Sequence, residues 1–436
     1  MHQESGEWGA YEVWLPRGEV QLLVFLLSPA TGIGREERVA ASEMTGRGAA
    51  VALVDTRRYL DRMGRAGDPC LDVPGAFLWT SHLLESELGL PAYRAPYLVG
   101  RGAGAGLVYV ALAQSPAHAL AGGLSVDLSA RVLPVHRALC GITTTVTREG
   151  RRLGVYRLGA EWHLAGTRAL VPAVRRWGEA IAARNRQAPL SVPARHAYPA
   201  LVAAILGPML QRAAAAPPAE RMPVVEVKSV STRGVLAVIF SGDGGWRDID
   251  KSVGGYLAER GFAVLGVDVL SYFWGKRTPA EVGADAAAML REYLTRWKQQ
   301  RVALVGYSFG ADVLPFVYAR LPPDLQKQVV LVSLLAPSRT IDFEVHIADW
   351  LGGGDDAEAT PIAPELAHLP AEKLQCIYGD DDADDSLCTE RSVPGVAVIH
   401  HPGDHHFDGD YEGLGAIVLE GIERRLNAAR GAGTGR

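Results

Sequence analysis

Hydrophobic residues in the second half of the chain fall into short runs separated by longer stretches of mixed polarity. The short runs predict buried strands, and the mixed stretches between them predict helices. Regular alternation of the two is typical of a mainly parallel sheet with helices on both faces. The predicted strands and helices alternate at 235–240, 247–260, 263–268, 281–298, 302–305, 310–320, 329–335, 374–378, 396–400 and 412–428.

The first half repeats much of this pattern. The apolar run 21–28 corresponds to 236–241, and the run 50–55 corresponds to 263–268. In both pairs the ends of the runs are 213 residues apart. A repeat of this length indicates two domains of one fold rather than a stack of short units.

Proline and alanine are concentrated between the two halves, where we predict a linker that could hold a helix near 197–213. The predicted boundaries are 1–186 for the first domain, 187–223 for the linker, 224–428 for the second domain and 429–436 for a flexible tail.

The clearest chemical motif is Gly-Tyr-Ser-Phe-Gly, centred on Ser308 between a predicted strand and a predicted helix. This spacing and context are those of a nucleophile elbow, whose tight turn needs glycine at the flanking positions, Gly306 and Gly310. The following helix N-terminus favours a developing negative charge. We therefore predict that Ser308 is a catalytic nucleophile.

The aligned position of the first half is Gly102, which has no nucleophilic side chain. We predict an α/β protein with two α/β-hydrolase-like domains, the first degenerate and the second catalytic. His163 of the first half is interpreted as a surface or packed histidine.

An elbow serine needs a histidine base and an orienting carboxylate, which follow it in the order Ser, Asp/Glu, His. The stretch 403–407 after one predicted strand offers His405, with His406 in reserve. The acidic loop 380–385 after another holds five aspartates, of which Asp382 and Asp385 are the preferred candidates. The choice between them stays open.

Two backbone N–H groups should stabilise the oxyanion, and we predict those of Phe309 and Asp243. Aromatic and glycine residues are expected at the same end of the sheet, where they could line a substrate pocket or simply pack. An insertion at 337–365 could cover that pocket. The pocket candidates from these stretches are Asp243, Gly244, Trp246, Tyr272, Trp274 and Trp350.

Composition sets limits on this picture. The 436 residues are 48% hydrophobic and 21% charged, as in ordinary globular domains, and the first ten residues lack the features of a secretion signal. Residues 1–220 have a net charge of +5 and residues 221–436 one of −10. An acidic half suits a cationic substrate group and a basic half could face an anionic surface, although ordinary solvation accounts for most such charges.

Four cysteines are present. We predict a disulfide between Cys376 and Cys388, because it would close the acidic loop against the repulsion of its carboxylates. A second one between Cys70 and Cys140 rests on weaker grounds. Disulfides imply an oxidising compartment. No residue pattern indicates a metal, an organic cofactor or a nucleic-acid partner.

Several strings together resemble the VirJ/AcvB family of bacterial virulence proteins: FSGDGGW, GVDVLSYFW, LVGYSFGADVLPF, the cysteine-flanked acidic loop and GDHHFDGDY. The resemblance covers most of 224–427, and the upstream half resembles the N-terminal region of the longer, AcvB-like members. The acidic loop differs in length from the family's pattern.

The resemblance implies an exported, periplasmic α/β-hydrolase that removes lysine or alanine from aminoacyl-phosphatidylglycerol at the membrane surface. It also implies a link to type IV secretion. Asp243 and Asp312 are candidates to hold the ammonium group of such a substrate. The alternatives are a general carboxylesterase or lipase with the same triad, and a secretion-associated binding protein without activity.

Overall fold

The computed structural model describes most of the chain, namely residues 2–5, 9–63, 70–115, 119–128, 130–186, 196–215, 222–227, 233–246, 248–345, 359–390 and 395–433. The chain divides into two compact units, Met1–Pro217 and Pro218–Arg436. Each unit alternates strands and helices. No helix of the described residues has the length and apolarity needed to cross a membrane.

The first unit begins with two antiparallel strands and continues with parallel ones. Its strands are β1 (His2–Ser5), β2 (Gly9–Trp14), β3 (Leu22–Leu27), β4 (Ala49–Val54), β5 (Cys70–Leu71), β6 (Tyr97–Arg101), β7 (Gly122–Val126), β8 (Val132–Leu133), β9 (Ala138–Leu139), β10 (Thr145–Thr147), β11 (Gly150–Arg152) and β12 (Trp162–Ala165). Its helices are α1 (Arg35–Thr45), α2 (Thr56–Met63), α3 (Val73–Glu87), α4 (Ala103–Gln114), α5 (Pro172–Asn185) and α6 (Tyr198–Ala215).

Seven described strands form the main sheet of this unit in the order β1-β2-β4-β3-β6-β7-β12. β3, β4, β6, β7 and β12 are parallel, and the antiparallel β1 and β2 lie at one edge. Every residue of β3 and β4 is buried. Such continuous hydrophobic strands are expected where helices cover both faces of a parallel sheet.

The second unit is built in the same way. Its strands are β13 (Val224–Val227), β14 (Val235–Phe240), β15 (Ala263–Val267), β16 (Arg301–Tyr307), β17 (Val329–Leu335), β18 (Thr340–Ile341), β19 (Thr360–Pro361), β20 (Leu374–Gly379) and β21 (Ala397–His401). Its helices are α7 (Asp248–Glu259), α8 (Val269–Tyr272), α9 (Pro279–Arg296), α10 (Phe309–Arg320), α11 (Pro323–Gln328), α12 (Ala363–Leu366) and α13 (Tyr411–Gly433).

The main sheet of the second unit, within the residues described, has the order β13-β15-β14-β16-β17-β20-β21, with only β13 antiparallel. β15 lies on one side of β14, and β16 and the later strands lie on the other. The strand order therefore reverses at the junction of β14 and β16. The carboxyl ends of strands beside such a switch point form the usual crevice for a site. The predicted elements of this unit are confirmed. The short β13, β18, β19, α8, α11 and α12 were not predicted.

Part of the predicted linker belongs to the first unit. α6 packs on α1, and its Tyr198, Leu201 and Leu206 join the same buried cluster as Val24 and Met44. α13 packs on α7 in the second unit in the same manner. The prolines suggested a linker, but Pro208 lies inside the helix. The predicted tail also needs correction, because α13 extends to Gly433.

Both disulfides are present, Cys70–Cys140 in the first unit and Cys376–Cys388 in the second. The second joins β20 to the end of the acidic loop across 12 residues, with the two Cα atoms 5.5 Å apart. Disulfides are characteristic of proteins that fold outside the reducing cytosol.

Candidate active site

Ser308 occupies the sharp turn between β16 and α10. Its backbone angles, φ 50° and ψ −123°, lie in the left-handed region that a serine rarely adopts. A Cβ on Gly306 would lie 2.4 Å from the Gly310 carbonyl oxygen, and one on Gly310 would lie 2.2 Å from that of Phe240. Only glycine fits at these two positions. The turn has the strand–turn–helix context that a nucleophile elbow requires.

The structure brings Ser308, His405 and Asp382 together. His405 Nε2 lies 3.0 Å from Ser308 Oγ, and His405 Nδ1 lies 2.7 Å from Asp382 Oδ2. When Nδ1–H donates to the carboxylate, Nε2 is left to accept the serine proton. These contacts join residues 97 and 23 positions apart in the chain. The arrangement is that of a serine hydrolase triad.

The acidic loop offers only one of its two preferred aspartates to the histidine. Asp382 ends a short 3-10 turn that directly follows β20. The Asp385 N–H donates to the Asp382 carbonyl at 3.1 Å, and the Asp385 side chain is exposed. Asp385 therefore makes no contact with His405, because the turn carries it past the site. Asp380 instead contacts His400 at the sheet edge.

The turn that presents His405 is held by backbone contacts. Gly403 has φ 105°, which favours glycine, and the next residue, Asp404, accepts hydrogen bonds from the N–H groups of His406 (2.8 Å) and Asp408 (3.4 Å). These donors, that of His406 foremost, hold the pKa of Asp404 below its ordinary value. The charged Asp404 carboxylate thus stabilises the turn that contains His405.

Tyr307 was not predicted as a site residue, although it is the variable residue before the serine in the elbow motif. Its hydroxyl lies 3.3 Å from the His405 carbonyl oxygen and 3.0 Å from His406 Nδ1. Burial raises the pKa of the Tyr307 hydroxyl well above its ordinary value, so it stays a donor. His406, the reserve base, contacts Tyr307 and not the nucleophile.

The glycine-rich turn after β14 lies against the nucleophile. A Cβ on Gly242 would come within 3.6 Å of Ser308 Cβ and 3.2 Å of the Tyr307 ring. The turn closes with a hydrogen bond from Gly245 N–H to the Gly242 oxygen, and Gly245 adopts φ 78°. Gly245 is thus the left-handed glycine of this turn, and the predicted pocket residue Gly244 beside it is half-buried.

Two backbone amides, those of Phe309 and Asp243, are the predicted oxyanion donors. Phe309 is the first residue of α10, where an amide has no acceptor within the helix. Asp243 follows Gly242 and is half-buried. Burial raises the pKa values of Tyr307 and Asp312, and the Asp243 charge adds to the rise in both.

The predicted aromatic pocket residues are mostly part of the core. Trp246 is 7% exposed and packs over Gly266, where a Cβ would lie 2.5 Å from its ring. Tyr272 is buried and donates to Asp285 at 2.6 Å. Trp274 is buried as well. A bulky ring beside a glycine in the sheet fills the space that the missing side chain leaves, which is why Trp246 packs inward.

Phe273 is the aromatic residue that approaches the elbow. Its ring centroid lies 5.1 Å from that of Phe309 and 6.3 Å from that of Phe343. These rings form an apolar wall next to the proposed oxyanion amide. Trp350 and the middle of the predicted covering insertion, 346–358, lie outside the described residues. The described ends of the insertion pair as β18 and β19.

Asp312 does not fit its predicted role as a substrate ligand. It is 5% exposed, and its Oδ1 accepts the Ser338 N–H at 2.7 Å. Burial raises the pKa of Asp312 well above its ordinary value, and the Ser338 hydrogen bonds oppose that rise. A carboxylate that is buried and already engaged is poorly placed to hold an ammonium group from solution.

The first unit has an elbow without chemistry. Gly102 joins β6 to α4 with φ 56° and ψ −110°, and His163 lies within β12, paired with Glu161 at 3.5 Å. His163 thus lies in a strand and not in a loop after one, in accord with its interpretation as a surface or packed residue. Across the part of the chain that the structure describes, no group of three or more His, Cys, Asp or Glu side chains is arranged to hold a metal ion.

Residues 234–426 match the family model described as bacterial virulence protein (VirJ). The match lies within the second unit, so this half of the chain is similar to the VirJ family. The match confirms the resemblance seen in the sequence for this half of the chain. No curated protein matches the chain.

Several solved structures are similar to this chain at low sequence identity. An alpha-beta serine hydrolase homologue from Coxiella burnetii is 17% identical, with 46% of this chain and 89% of that chain covered at a TM-score of 0.32. Est1E from Butyrivibrio proteoclasticus is 15% identical, with coverages of 46% and 93% and a TM-score of 0.32. Proline iminopeptidase from Mycobacterium smegmatis is 14% identical, with coverages of 48% and 95% and a TM-score of 0.35.

Proposed function

We propose that the second unit is a serine esterase that cleaves the aminoacyl ester of aminoacyl-phosphatidylglycerol. The observation that carries this proposal is the hydrogen-bonded series from Ser308 through His405 to Asp382, with contacts of 3.0 and 2.7 Å. Such a series serves acyl transfer to water and needs no cofactor.

The first half-reaction makes an acyl-enzyme. Ser308 Oγ attacks the ester carbonyl while His405 Nε2 takes the serine proton, and Asp382 stabilises the imidazolium. The N–H groups of Phe309 and Asp243 hold the resulting oxyanion. The tetrahedral intermediate then collapses, the bond to the glycerol oxygen breaks, and His405 returns the proton to that oxygen. Phosphatidylglycerol leaves.

The second half-reaction returns the enzyme to its starting state. His405 takes a proton from water, the hydroxide attacks the acyl carbonyl, and a second oxyanion forms at the same amides. Collapse breaks the bond to Ser308 Oγ, which recovers the proton from His405. The free amino acid is released.

Charge supports an aminoacyl substrate. An aminoacyl ester has an ammonium group one carbon away from the reacting carbonyl, and the half-buried Asp243 directly follows Gly242, which lies against Ser308. The Asp243 carboxylate is our proposed partner for that ammonium group, since a nearby opposite charge stabilises a bound cation. The net charge of −10 over residues 221–436 also favours the approach of a cationic headgroup.

The two disulfides support a location outside the cytosol, and we propose the periplasm. There the enzyme would meet its lipid substrate at a membrane surface. The basic first unit would assist at an anionic surface, and we propose a component of a secretion system as a further partner. Vesicle binding that ignored both salt and anionic lipid would contradict the electrostatic part of this proposal.

The test is lipid chromatography after incubation of the protein with lysyl- or alanyl-phosphatidylglycerol in mixed micelles. We expect one of the two lipids to be converted to phosphatidylglycerol and free amino acid, and Ser308→Ala to abolish the conversion. Conversion of neither lipid by protein that still hydrolyses p-nitrophenyl esters would favour a general carboxylesterase. The apolar wall of Phe273, Phe309 and Phe343 is compatible with that alternative. Failure of a fluorophosphonate probe to label Ser308 would instead favour a binding protein.

A further inference from the structure

We propose that Asp312 is a positioning residue that holds the triad's acid loop through a chain of hydrogen bonds. We call this chain the brace and define it by Asp312, Pro337, Ser338, Ser386 and Leu387. The proposal rests on the proposed serine hydrolase chemistry. It goes further by assigning a role to a buried carboxylate that the reaction steps do not use.

The first link joins the nucleophile helix to the segment after β17. The Asp312 N–H donates to the Ser308 carbonyl at 3.0 Å, which ties Asp312 to the elbow. Its Oδ1 accepts the Ser338 N–H at 2.7 Å. The bond is buried at the Asp312 end, and a hydrogen bond to a buried carboxylate is stronger than one in water.

The second link joins that segment to the acid loop. The Pro337 carbonyl oxygen accepts from the Leu387 N–H at 3.1 Å and from the Ser386 hydroxyl at 3.3 Å. An ion pair between Arg339 and Glu390, 3.3 Å apart, spans the same two stretches. Three contacts therefore hold the end of the acid loop against the residues that Asp312 fixes.

The third link reaches the catalytic acid. The Ser386 N–H donates to the Asp382 carbonyl at 2.9 Å, and the Ser386 hydroxyl accepts the Cys388 N–H at 3.2 Å. Cys388 is bound in turn to Cys376 of β20. Asp382 is thus fixed from the C-terminal side of its turn by the brace and the disulfide together.

The acid loop needs such support because its five aspartates repel one another when ionised. The contact between Asp382 and His405 depends on a loop that those charges would push open. The first unit offers an internal comparison. Gly106 lies four residues after Gly102, as Asp312 lies four after Ser308. The unit without a triad also lacks the carboxylate that would begin a brace.

A role in substrate binding makes different predictions from a role in positioning. If Asp312 held the substrate ammonium, removal of its charge would raise KM for a cationic ester and spare a neutral one. If Asp312 positions the acid loop, its loss lowers kcat for both esters and leaves KM nearly unchanged. Its acceptor oxygen, not its charge, is then what the site requires.

The experiment measures kcat and KM on a neutral p-nitrophenyl ester and on an aminoacyl ester, for wild type and four variants. Asp312→Ala removes the acceptor and Asp312→Asn keeps one. Ser386→Ala removes the hydroxyl link at the other end of the brace. Glu365→Ala is the matched control, since it removes a carboxylate that contacts Arg320 at the far end of α10. Thermal unfolding checks that each variant is folded.

We expect Asp312→Ala to lower kcat on the order of 10- to 100-fold, since a small misplacement of a catalytic group has effects of that size. Asp312→Asn should recover most of this loss. Asp312→Ala and Ser386→Ala combined should cost less than the product of their separate effects, because both act through one chain of contacts. Glu365→Ala should leave kcat within about two-fold of wild type.

Equal losses for Asp312→Asn and Asp312→Ala, or a KM effect confined to the aminoacyl ester, would overturn the proposal. So would fully multiplicative effects of Asp312→Ala and Ser386→Ala. If Asp312→Ala does not fold, Ser386→Ala decides the matter alone: a loss of kcat on both esters with KM nearly unchanged supports the brace, and wild-type kcat overturns it. Wild type that hydrolyses neither ester nor reacts with a fluorophosphonate would refute the hydrolase proposal itself, an outcome distinct from failure of the brace.

Discussion

Ser308 and Gly102 have nearly the same backbone angles, φ 50° and ψ −123° against φ 56° and ψ −110°. Each follows a central strand and begins a 12-residue helix. Glycines two residues either side are packed too closely for a side chain in both units. The geometry of the elbow therefore follows from close packing between strand and helix. The same turn is present in the first unit, which has no serine at this position.

The loops beside the two elbows also correspond. The hydroxyls of Ser28 and Ser241 accept backbone N–H bonds from Thr56 and Val269, at 3.2 and 3.1 Å. The residues that directly follow β7 and β17, Asp127 and Ala336, share a left-handed backbone, with φ of 52° and 49°. The likeness reaches well beyond the elbow, into contacts that serve no chemistry.

The units differ where the base and the acid would stand. The second unit adds β21 beyond β20, and the turn after β21 presents His405. Among its described residues the main sheet of the first unit ends at β12. Pro29 also fills the space next to Gly102 that Gly242 leaves open next to Ser308: a Cβ on Gly102 would lie 3.4 Å from Pro29 Cβ.

The residue before each elbow shows the same divergence. Tyr307 reaches the histidine turn, whereas Arg101 pairs with Glu36, Glu37 and Asp127 and stacks on Tyr198. Tyr307 contacts the turn that carries the predicted base, whereas Arg101 belongs to a cluster of ion pairs. The chemistry of this fold thus depends on its outer loops, which can be lost while the elbow remains.

The most direct way to erase the difference between the units is to change Ser308. We expect Ser308→Ala and Ser308→Gly to lower ester hydrolysis by roughly 10⁴-fold or more while the fold is kept. Ser308→Gly should also unfold at a higher temperature than Ser308→Ala, because glycine adopts φ 50° without strain. Turnover measurements and thermal unfolding test both halves. Near-normal turnover in either variant would refute the assignment of the nucleophile.

We expect a change of the catalytic aspartate in the acidic loop to have the next largest effect on kcat. Asp382→Asn should cost on the order of 10⁴-fold in kcat, as loss of the orienting carboxylate does in other triads. Asp385→Asn removes the same charge from an exposed side chain and should cost at most about two-fold. The pair is measured side by side on one ester. Equal losses would mean that loop charge, rather than contact with His405, is what matters.

Sequence reasoning found the parts of this molecule that local rules determine. Alternating apolar runs predict the parallel sheet, and the glycines around Ser308 predict the elbow, because both depend on neighbours in the chain. The order of acid and base followed from the same motif. The choice of Asp382 over Asp385 did not, since it depends on a turn that hydrogen bonds close.

Contacts between distant residues explain what the sequence left open. Trp246 lies in a glycine-rich loop, which suggested a pocket, but it packs on Gly266 across the sheet. Tyr307 and His406 are 99 residues apart, and Asp312 meets Ser338 at a separation of 26. Burial of such polar groups is decided by tertiary packing, which no periodic pattern reveals.

The two disulfides allow the units to be compared by stability. Removal of Cys376–Cys388 as paired alanines should lower the free energy of unfolding of the second unit by roughly 3 kcal/mol, and removal of Cys70–Cys140 that of the first by roughly 4 kcal/mol, since the longer loop loses more entropy. Only removal of Cys376–Cys388 should also lower kcat, because that disulfide holds the acidic loop. Denaturant unfolding with kinetics tests this. A catalytic loss from Cys70–Cys140 removal would contradict the view that the first unit is inert.

Restoring a serine to the first unit is a smaller perturbation. Gly102→Ser should give no ester hydrolysis in a Ser308→Ala background, because no acid or base contacts Gly102 among the residues described. It should destabilise the first unit by about 1–2 kcal/mol, the cost of φ 56° for a residue with a Cβ. A fluorophosphonate probe and thermal unfolding are the readouts. Labelling of the new serine would show that the first unit keeps a functional base.

The smallest expected effect concerns the pH dependence of stability at Asp312, which has glycine as its counterpart in the first unit. Burial raises the pKa of the folded Asp312 above its unfolded value, with the nearby Asp243 charge acting in the same direction. A carboxyl group of this kind stabilises the fold fully below its unfolded pKa, near 4, and that contribution is lost as pH rises through the folded pKa. Asp312→Asn carries no such charge, so its unfolding temperature should equal that of wild type at low pH and exceed it by a few degrees at pH 8.

Thermal unfolding from pH 4 to 8, with Asp324→Asn as an exposed control on α11, measures this difference. If the unfolding temperature of wild type rose relative to that of Asp312→Asn as pH increased, the ionised carboxylate would be stabilised in the folded protein. The brace would then depend on the charge of Asp312.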